Sequence, residues 1–148
     1  MPQSTTLILL SQTSHTGTEA YDVTGEQQQA AAYYIGTKNL QTVNMKVSLF
    51  RGTILLQATL ATDPQEDDWF TVYTVVGNYP TMPFYTAITT IYTSYNQVDG
   101  QNYYTSLNPE ADGTTLSTYA NVRGSFVYMR ALVKDFTTGV VEHIKLSY

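Results

Sequence analysis

Cysteine is absent from the 148 residues, which excludes disulfide staples, thiol nucleophiles and cysteine-ligated metal centres. Charge is scarce as well: Asp, Glu, Lys and Arg make up 13% of the chain, so its surface falls to Thr, Ser, Gln, Asn and Tyr. The charge present leans acidic, with 12 carboxylates against 7 Lys and Arg and a net charge of −5. A nucleic-acid backbone demands clustered cations that displace its counterions, and here the cations are few and scattered, so no nucleic-acid partner is expected. Histidine occurs only at His15 and His143, in separate segments without HxxxH spacing, so no zinc site is expected. The apolar run Leu7-Ile8-Leu9-Leu10 lacks a basic leader and the length of a signal-peptide core. No stretch approaches the roughly 18 apolar residues of a membrane span, so a soluble chain without a membrane partner is expected. There is no GxSxG elbow, no phosphate loop and no identifiable base beside the many Ser and Thr hydroxyls, so neither an enzyme nor a cofactor is expected.

What is present is period-2 alternation. In Gly52–Tyr73, GTILLQATLATDPQEDDWFTVY, Ile54, Leu56, Ala58 and Leu60 fall on one side and Thr53, Gln57 and Thr59 on the other, the pattern of a strand with one buried face. Asp63-Pro64 breaks the ladder. Gln65, Glu66, Asp67 and Asp68 form a solvated turn, and Trp69 and Phe70 restart a strand with Val72, Tyr73, Val75 and Val76, making this the central hairpin. Trp69 is expected to be buried against Ile54–Leu60, closing one end of the core. Upstream, Val43, Met45, Val47 and Leu49 alternate with Thr42, Asn44, Lys46 and Ser48 as a second inward-facing set, and Arg51-Gly52 is read as the turn between the two strands. Leu7–Leu10 reads as a first or edge strand and Tyr21-Asp22-Val23 as a short one. Glu26–Tyr34, EQQQAAAYY, has helix-forming composition but no 3.6-residue apolar stripe, and Tyr33-Tyr34-Ile35 before Gly36 favours strand over helix.

From about residue 77 to 118 the alternation fades into a Tyr- and Thr-rich excursion. Asp99-Gly100 separates two strand-like runs as a projecting hairpin. Alternation returns after Arg123-Gly124, with Val127, Met129, Ala131 and Val133 on one face. Phe136-Thr137-Thr138-Gly139 reads as a compact turn, and Val140, Ile144, Leu146 and Tyr148 as the inward face of the last strand. Strands, frequent turns and no convincing helix indicate one all-β domain, 1–148, an antiparallel β-sandwich or jelly roll. A chain of this length buries about two thirds of its unfolded surface and folds without metal or staples.

Two stretches, FRGTILLQATLATDPQEDDWFTVY and GSFVYMRALVKDFTTGVVEHIKLSY, resemble a family of small β-sandwich virion proteins of tailed phages, notably those infecting marine cyanobacteria. The likeness spans roughly half of the chain. It runs through Gly52, Thr59, Leu60, Pro64, Asp68, Trp69 and Phe70, then Gly124, Phe126, Arg130, Val133, Asp135, Phe136, Thr137 and Gly139. The resemblance implies a structural role in the particle and a jelly-roll likeness to galactose-binding folds. It carries no catalytic or ligand residues, since these positions are mostly apolar, glycine or turn residues.

Two features remain to be weighed. Asp63, Glu66, Asp67 and Asp68 match no calcium loop and read as a solvated turn, with Asp68 suited to accept backbone N–H bonds there. Of the 13 tyrosines, Tyr33, Tyr34, Tyr73 and Tyr128 sit in strand patterns and read as packing. Tyr79, Tyr85, Tyr92, Tyr95, Tyr103, Tyr104 and Tyr119 belong to the irregular middle and suit a partner surface. The expectation is a non-enzymatic virion protein on the capsid surface or tail. Its partners would be other virion proteins, with the chain itself in many copies or as a homo-oligomer. The alternative is a carbohydrate-binding module that recognises a host glycan.

Overall fold

The computed structural model describes residues 5–78, 91–95, 102–105, 108–109 and 115–148, with backbone alone for 78, 91–95, 102–105, 108–109 and 115–116. The strands are β1 (Thr6–Leu10), β2 (Thr13–Ser14), β3 (Tyr21–Thr24), β4 (Gln28–Gln29), β5 (Leu40–Thr59), β6 (Phe70–Asn78), β7 (Ile91–Tyr95), β8 (Asn102–Thr105), β9 (Asn108–Pro109), β10 (Thr115–Arg123) and β11 (Tyr128–Ser147). All their pairings are antiparallel, so the all-β expectation holds. The two 20-residue strands, β5 and β11, pair with each other from Thr59↔Tyr128 to Thr42↔Ser147. On its far edge β5 takes β10 along its first half and β6 along its second. On its far edge β11 takes β4 and β3 first, then β2 and β1.

Neither of the turns expected within these strands exists. At Arg51-Gly52 the chain stays in the ladder, and the change of direction is a bulge at Leu49, whose φ is +53°. One extra residue flips the phase: Gln41, Val43, Met45 and Val47 point inward before it, and Phe50, Ile54, Leu56 and Ala58 after it. Leu49, expected inside, is therefore 37% exposed, and Phe50 takes its place in the core at 1%. The run Phe136–Gly139 repeats the device. Asp135 also has φ +53°, the register slips between Lys134 and Val140, Phe136 is fully buried, and Val141 rather than Val140 joins the core. Extra residues bend and twist a strand, and the bends here are large. A straight strand of 20 residues spans roughly 60–70 Å. Yet the Tyr148 hydroxyl, just past the end of β11, donates to the carbonyl of Gln29 at 2.9 Å, and Gln29 pairs with Tyr128 at its start. The strand is folded back until its ends lie within reach of one side chain.

The core fills the fold. Phe50 and Phe136 meet at 5.6 Å between ring centroids, and the Thr138 hydroxyl of one bulge donates to the Leu49 carbonyl of the other at 2.9 Å. In β6 a slip opposite Leu56 and Gln57 leaves Val72 as the extra residue, so the adjacent Val72 and Tyr73 are both buried. The open end is closed by 30–39. Of 26–34, read as strand over helix, Gln28–Gln29 is strand and none is helix; past β4 the chain runs in successive turns, Tyr33 N–H to the Ala30 carbonyl and Lys38 N–H to that of Ile35. Ala30, Ala31 and Ala32 are small enough to be buried there.

A buried amide pins this closure. Gln41 is 1% exposed. Its Nε2 donates to the carbonyls of Val122 (2.9 Å) and Gly124 (3.1 Å), and its Oε1 accepts from Ala31 N–H at 3.2 Å. Gln41→Leu keeps the volume but strips partners from buried backbone groups, at a cost of about 1–3 kcal/mol. The urea midpoint should fall with an unchanged m-value; an unaltered midpoint would show that the amide is dispensable.

Candidate interaction surface

The same three alanines decide what the closed end displays. With Ala30–Ala32 inside, the turns that follow push the next three side chains out: Tyr33 is 38%, Tyr34 77% and Ile35 60% exposed. Tyr33 and Tyr34, read from sequence as packing, are instead surface. Tyr33 meets Tyr34 edge-on at 4.6 Å and leans on Tyr128 at 5.4 Å, while the Tyr34 hydroxyl donates to Gln29 Oε1 at 3.1 Å. Lys38 Nζ lies 5.3 Å from the centroid of the Tyr148 ring. Burial, then the hydrogen bond to Tyr33, raises the Tyr128 pKa, and burial raises that of Tyr148, so these hydroxyls stay protonated donors at neutral pH. Packing holds the rings of Tyr33 and Tyr34 in place, which lowers the entropy lost when a partner covers them.

Beside this end lies the loop between β5 and β6. Thr59 is the last residue of its ladder, Asp63-Pro64 follows, and Glu66–Asp68 make one 3₁₀ turn. Asp68 accepts the Gln65 N–H at 2.8 Å, the turn role expected of it. Trp69 is not in the core as expected. It is half-buried beneath the Arg130 guanidinium, 4.4 Å from the ring centroid. Arg130 also donates to Gln57 at 2.8 Å and, through both terminal nitrogens, to Glu66 at 3.0–3.1 Å. Its hydrogen bonds, then its charge, hold the Glu66 carboxyl below the usual range. Arg130 therefore fastens the loop, while Asp63 and Asp67 stay exposed.

The outer face of the other half of the sheet has a different character. Ile8, Lys145, Asn44 and Tyr119 stand in one register row across β1, β11, β5 and β10, and His143 pairs with Lys46 in the next. Ile8 and Tyr119 are 46% and 64% exposed. His143 Nε2 lies 2.8 Å from Asn44 Oδ1. Burial first, then Lys145 and Lys46, lowers its pKa below the ordinary 6.5, with Glu142 opposing. The unfolded chain thus takes up this proton before the folded one. The contribution to stability is intact above the unfolded value and is lost as pH falls through it toward the folded value. An NMR titration should find His143 below ordinary imidazole, and Lys46→Gln with Lys145→Gln should raise it; a value at or above 6.5 in the parent chain would contradict this environment.

The tyrosines singled out in the middle of the chain divide. Tyr79 and Tyr85 lie outside the described residues. Tyr92 and Tyr95 lie on β7 and Tyr103 and Tyr104 on β8, with Tyr95 opposite Tyr73 and Tyr92 opposite Tyr104; their side chains are outside the description. The expected hairpin pairing is present, although its turn is not among the described residues. Tyr119 belongs to a regular strand and not to an irregular excursion, because Thr115–Arg123 pairs with β5 over all nine residues. His15 is a packing residue, stacked on Tyr21 at 4.9 Å and edge-on to Phe136 at 5.2 Å. Among the described residues no group of three or more His, Asp or Glu is placed to hold a metal ion, and no helix is long and apolar enough to cross a membrane. An open cleft of about 330 Å³ at the bulges is lined by Arg51, Gly52, Thr53, Val76, Gly77, Asp135 and Thr137. No family model matches the chain, and no curated protein matches it.

Proposed function

We propose that the chain is a non-enzymatic structural protein of a tailed-phage particle, a contact module that binds neighbouring particle proteins. The observation that carries the contact role is the exposed, packed group Tyr33, Tyr34 and Ile35 at the closed end. Tyrosines held this way bring apolar area and a hydroxyl to an interface at small entropic cost, the property of residues that dominate protein–protein binding. The particle setting rests on the resemblance of the two motif stretches to phage virion proteins.

The experiment is incorporation into particles. Tyr34→Ser with Ile35→Ser removes the most exposed part of the group and touches no core residue, so the isolated chain should keep its melting temperature. Loss of such anchors typically costs at least about 2 kcal/mol, so the particle-bound amount should drop about tenfold or more under limiting supply. Labelling the chain in intact particles locates it on capsid or tail. Normal incorporation with a collapse in adsorption to host cells would replace this reading with the carbohydrate-binding one.

A further inference from the structure

The face built on β1, the second half of β11, the first half of β5 and β10 is unlike the rest of this acidic chain. Lys46, Lys145 and His143 stand together on it, and the exposed apolar groups Ile8 and Tyr119 end the row through Lys145. Glu142 lies beside the group, accepting a hydrogen bond from the Ser48 hydroxyl at 3.2 Å. The opposite charge is concentrated elsewhere. Four of the 12 carboxylates, Asp63, Glu66, Asp67 and Asp68, fall within six residues. Arg130 occupies Glu66 and the turn occupies Asp68, which leaves Asp63 and Asp67 directed to solvent.

We propose that this basic, aromatic-edged face docks a second copy of the chain, taking the 63–68 loop of that copy. The loop leaves the half of β5 that pairs with β6, whereas the face lies on the half that pairs with β10. Within one chain Glu66 is paired with Arg130, and among the described residues no ion pair joins Lys46 or Lys145 to Asp63 or Asp67. The charge pairing of these four is therefore left to be made between copies. Such a contact joins two different surfaces, head to tail, and generates rings or open chains. Exposed ion pairs add little affinity by themselves but set the register and the rate of encounter; burial of Tyr119 and Ile8 supplies the apolar part.

The inference gives the proposed contact module one named partner and rests on that reading for its setting. The test is sedimentation of the full chain over a range of concentrations, at about 50 and 500 mM salt, where screening lengths differ severalfold. Wild type should self-associate, more weakly at the higher salt. Lys46→Glu with Lys145→Glu, and separately Asp63→Lys with Asp67→Lys, should each weaken association about tenfold or more. Mixing the two reversed proteins should restore it, because each then offers the surface that the other lacks. If either reversal lowers the melting temperature, the neutral pairs Lys46→Gln with Lys145→Gln and Asp63→Asn with Asp67→Asn replace it. A chain monomeric at all concentrations and both salts, association indifferent to these variants, or loss without restoration on mixing overturns the proposal. The two readings fail separately: a monomeric chain that still enters particles overturns only the self-association, and a self-associating chain absent from particles overturns only the particle role.

Discussion

Phe136→Ala is expected to lose about 3–5 kcal/mol of stability, a large part of the roughly 5–15 kcal/mol that holds a typical domain. Phe136 is fully buried and touches Phe50, Tyr21 and His15 with ring centroids 5.2–5.8 Å apart. It sits where both long strands bend, so the void left by its ring is walled by bulged backbone that cannot close without shifting the register of the β5 and β11 pair. Lost transfer energy and an uncollapsed cavity therefore add. For a chain of this size the melting temperature should drop on the order of 10–20 °C. A loss under about 1 kcal/mol would mean that the site collapses freely, and the bulges would not be the rigid centre of the fold. Trp69→Ala should cost less than Phe136→Ala, because Trp69 is half-buried under one guanidinium and lies outside the core.

Gly139→Val is expected to be comparably damaging for a different reason. Gly139 has φ +93°, outside the range a β-branched residue adopts, and a Cβ built there would meet the carbonyl oxygens of Leu49 and Ser48. These oxygens belong to the facing strand at its own bulge, so relief requires the two strands to part. Conformational strain and the clash together should cost on the order of 2–4 kcal/mol. Gly36→Ala is the control: a Cβ there meets nothing within 4 Å, and a change within about 0.5 kcal/mol is expected. Denaturant melts of both variants check the pair, and a Gly139→Val protein as stable as Gly36→Ala would refute the close approach of the bulges.

Much of the strand content was legible because alternation is a local property. Met129, Ala131 and Val133, and likewise Val43, Met45 and Val47, are inward as their spacing requires. The loop broken by Asp63-Pro64, the Asp68 turn and the hairpin pairing of β7 with β8 could also be read from residue type. The bulges misread as strand-ending turns lie at Leu49–Gly52 and Asp135–Gly139, and Leu60, grouped with the inward set, is 63% exposed just past the end of β5. A Gly after an apolar run signals equally a turn that ends a strand or a bulge that bends one. The change of inward phase between Val47 and Ile54 was visible, but it fits both. At the closed end the consecutive run AAAYYI has no period from which to tell inside from outside. Residue size decided: alanines fit where the strand ends converge, and tyrosines do not. Gln41 was invisible because nothing local marks an amide whose partners lie at Ala31, Val122 and Gly124.

The sequence by itself determined the class of structure and its chemical character: an all-β chain, acidic and sparsely charged, without cysteine chemistry and rich in tyrosine. Alternation and composition are sums over neighbours, so they survive without knowledge of the fold. Only the tertiary structure decided that two 20-residue strands bend back on themselves, that Phe50 and Phe136 meet at the bends, and which tyrosines face out. Those outcomes depend on long-range register, where one extra residue moves every following side chain to the opposite face.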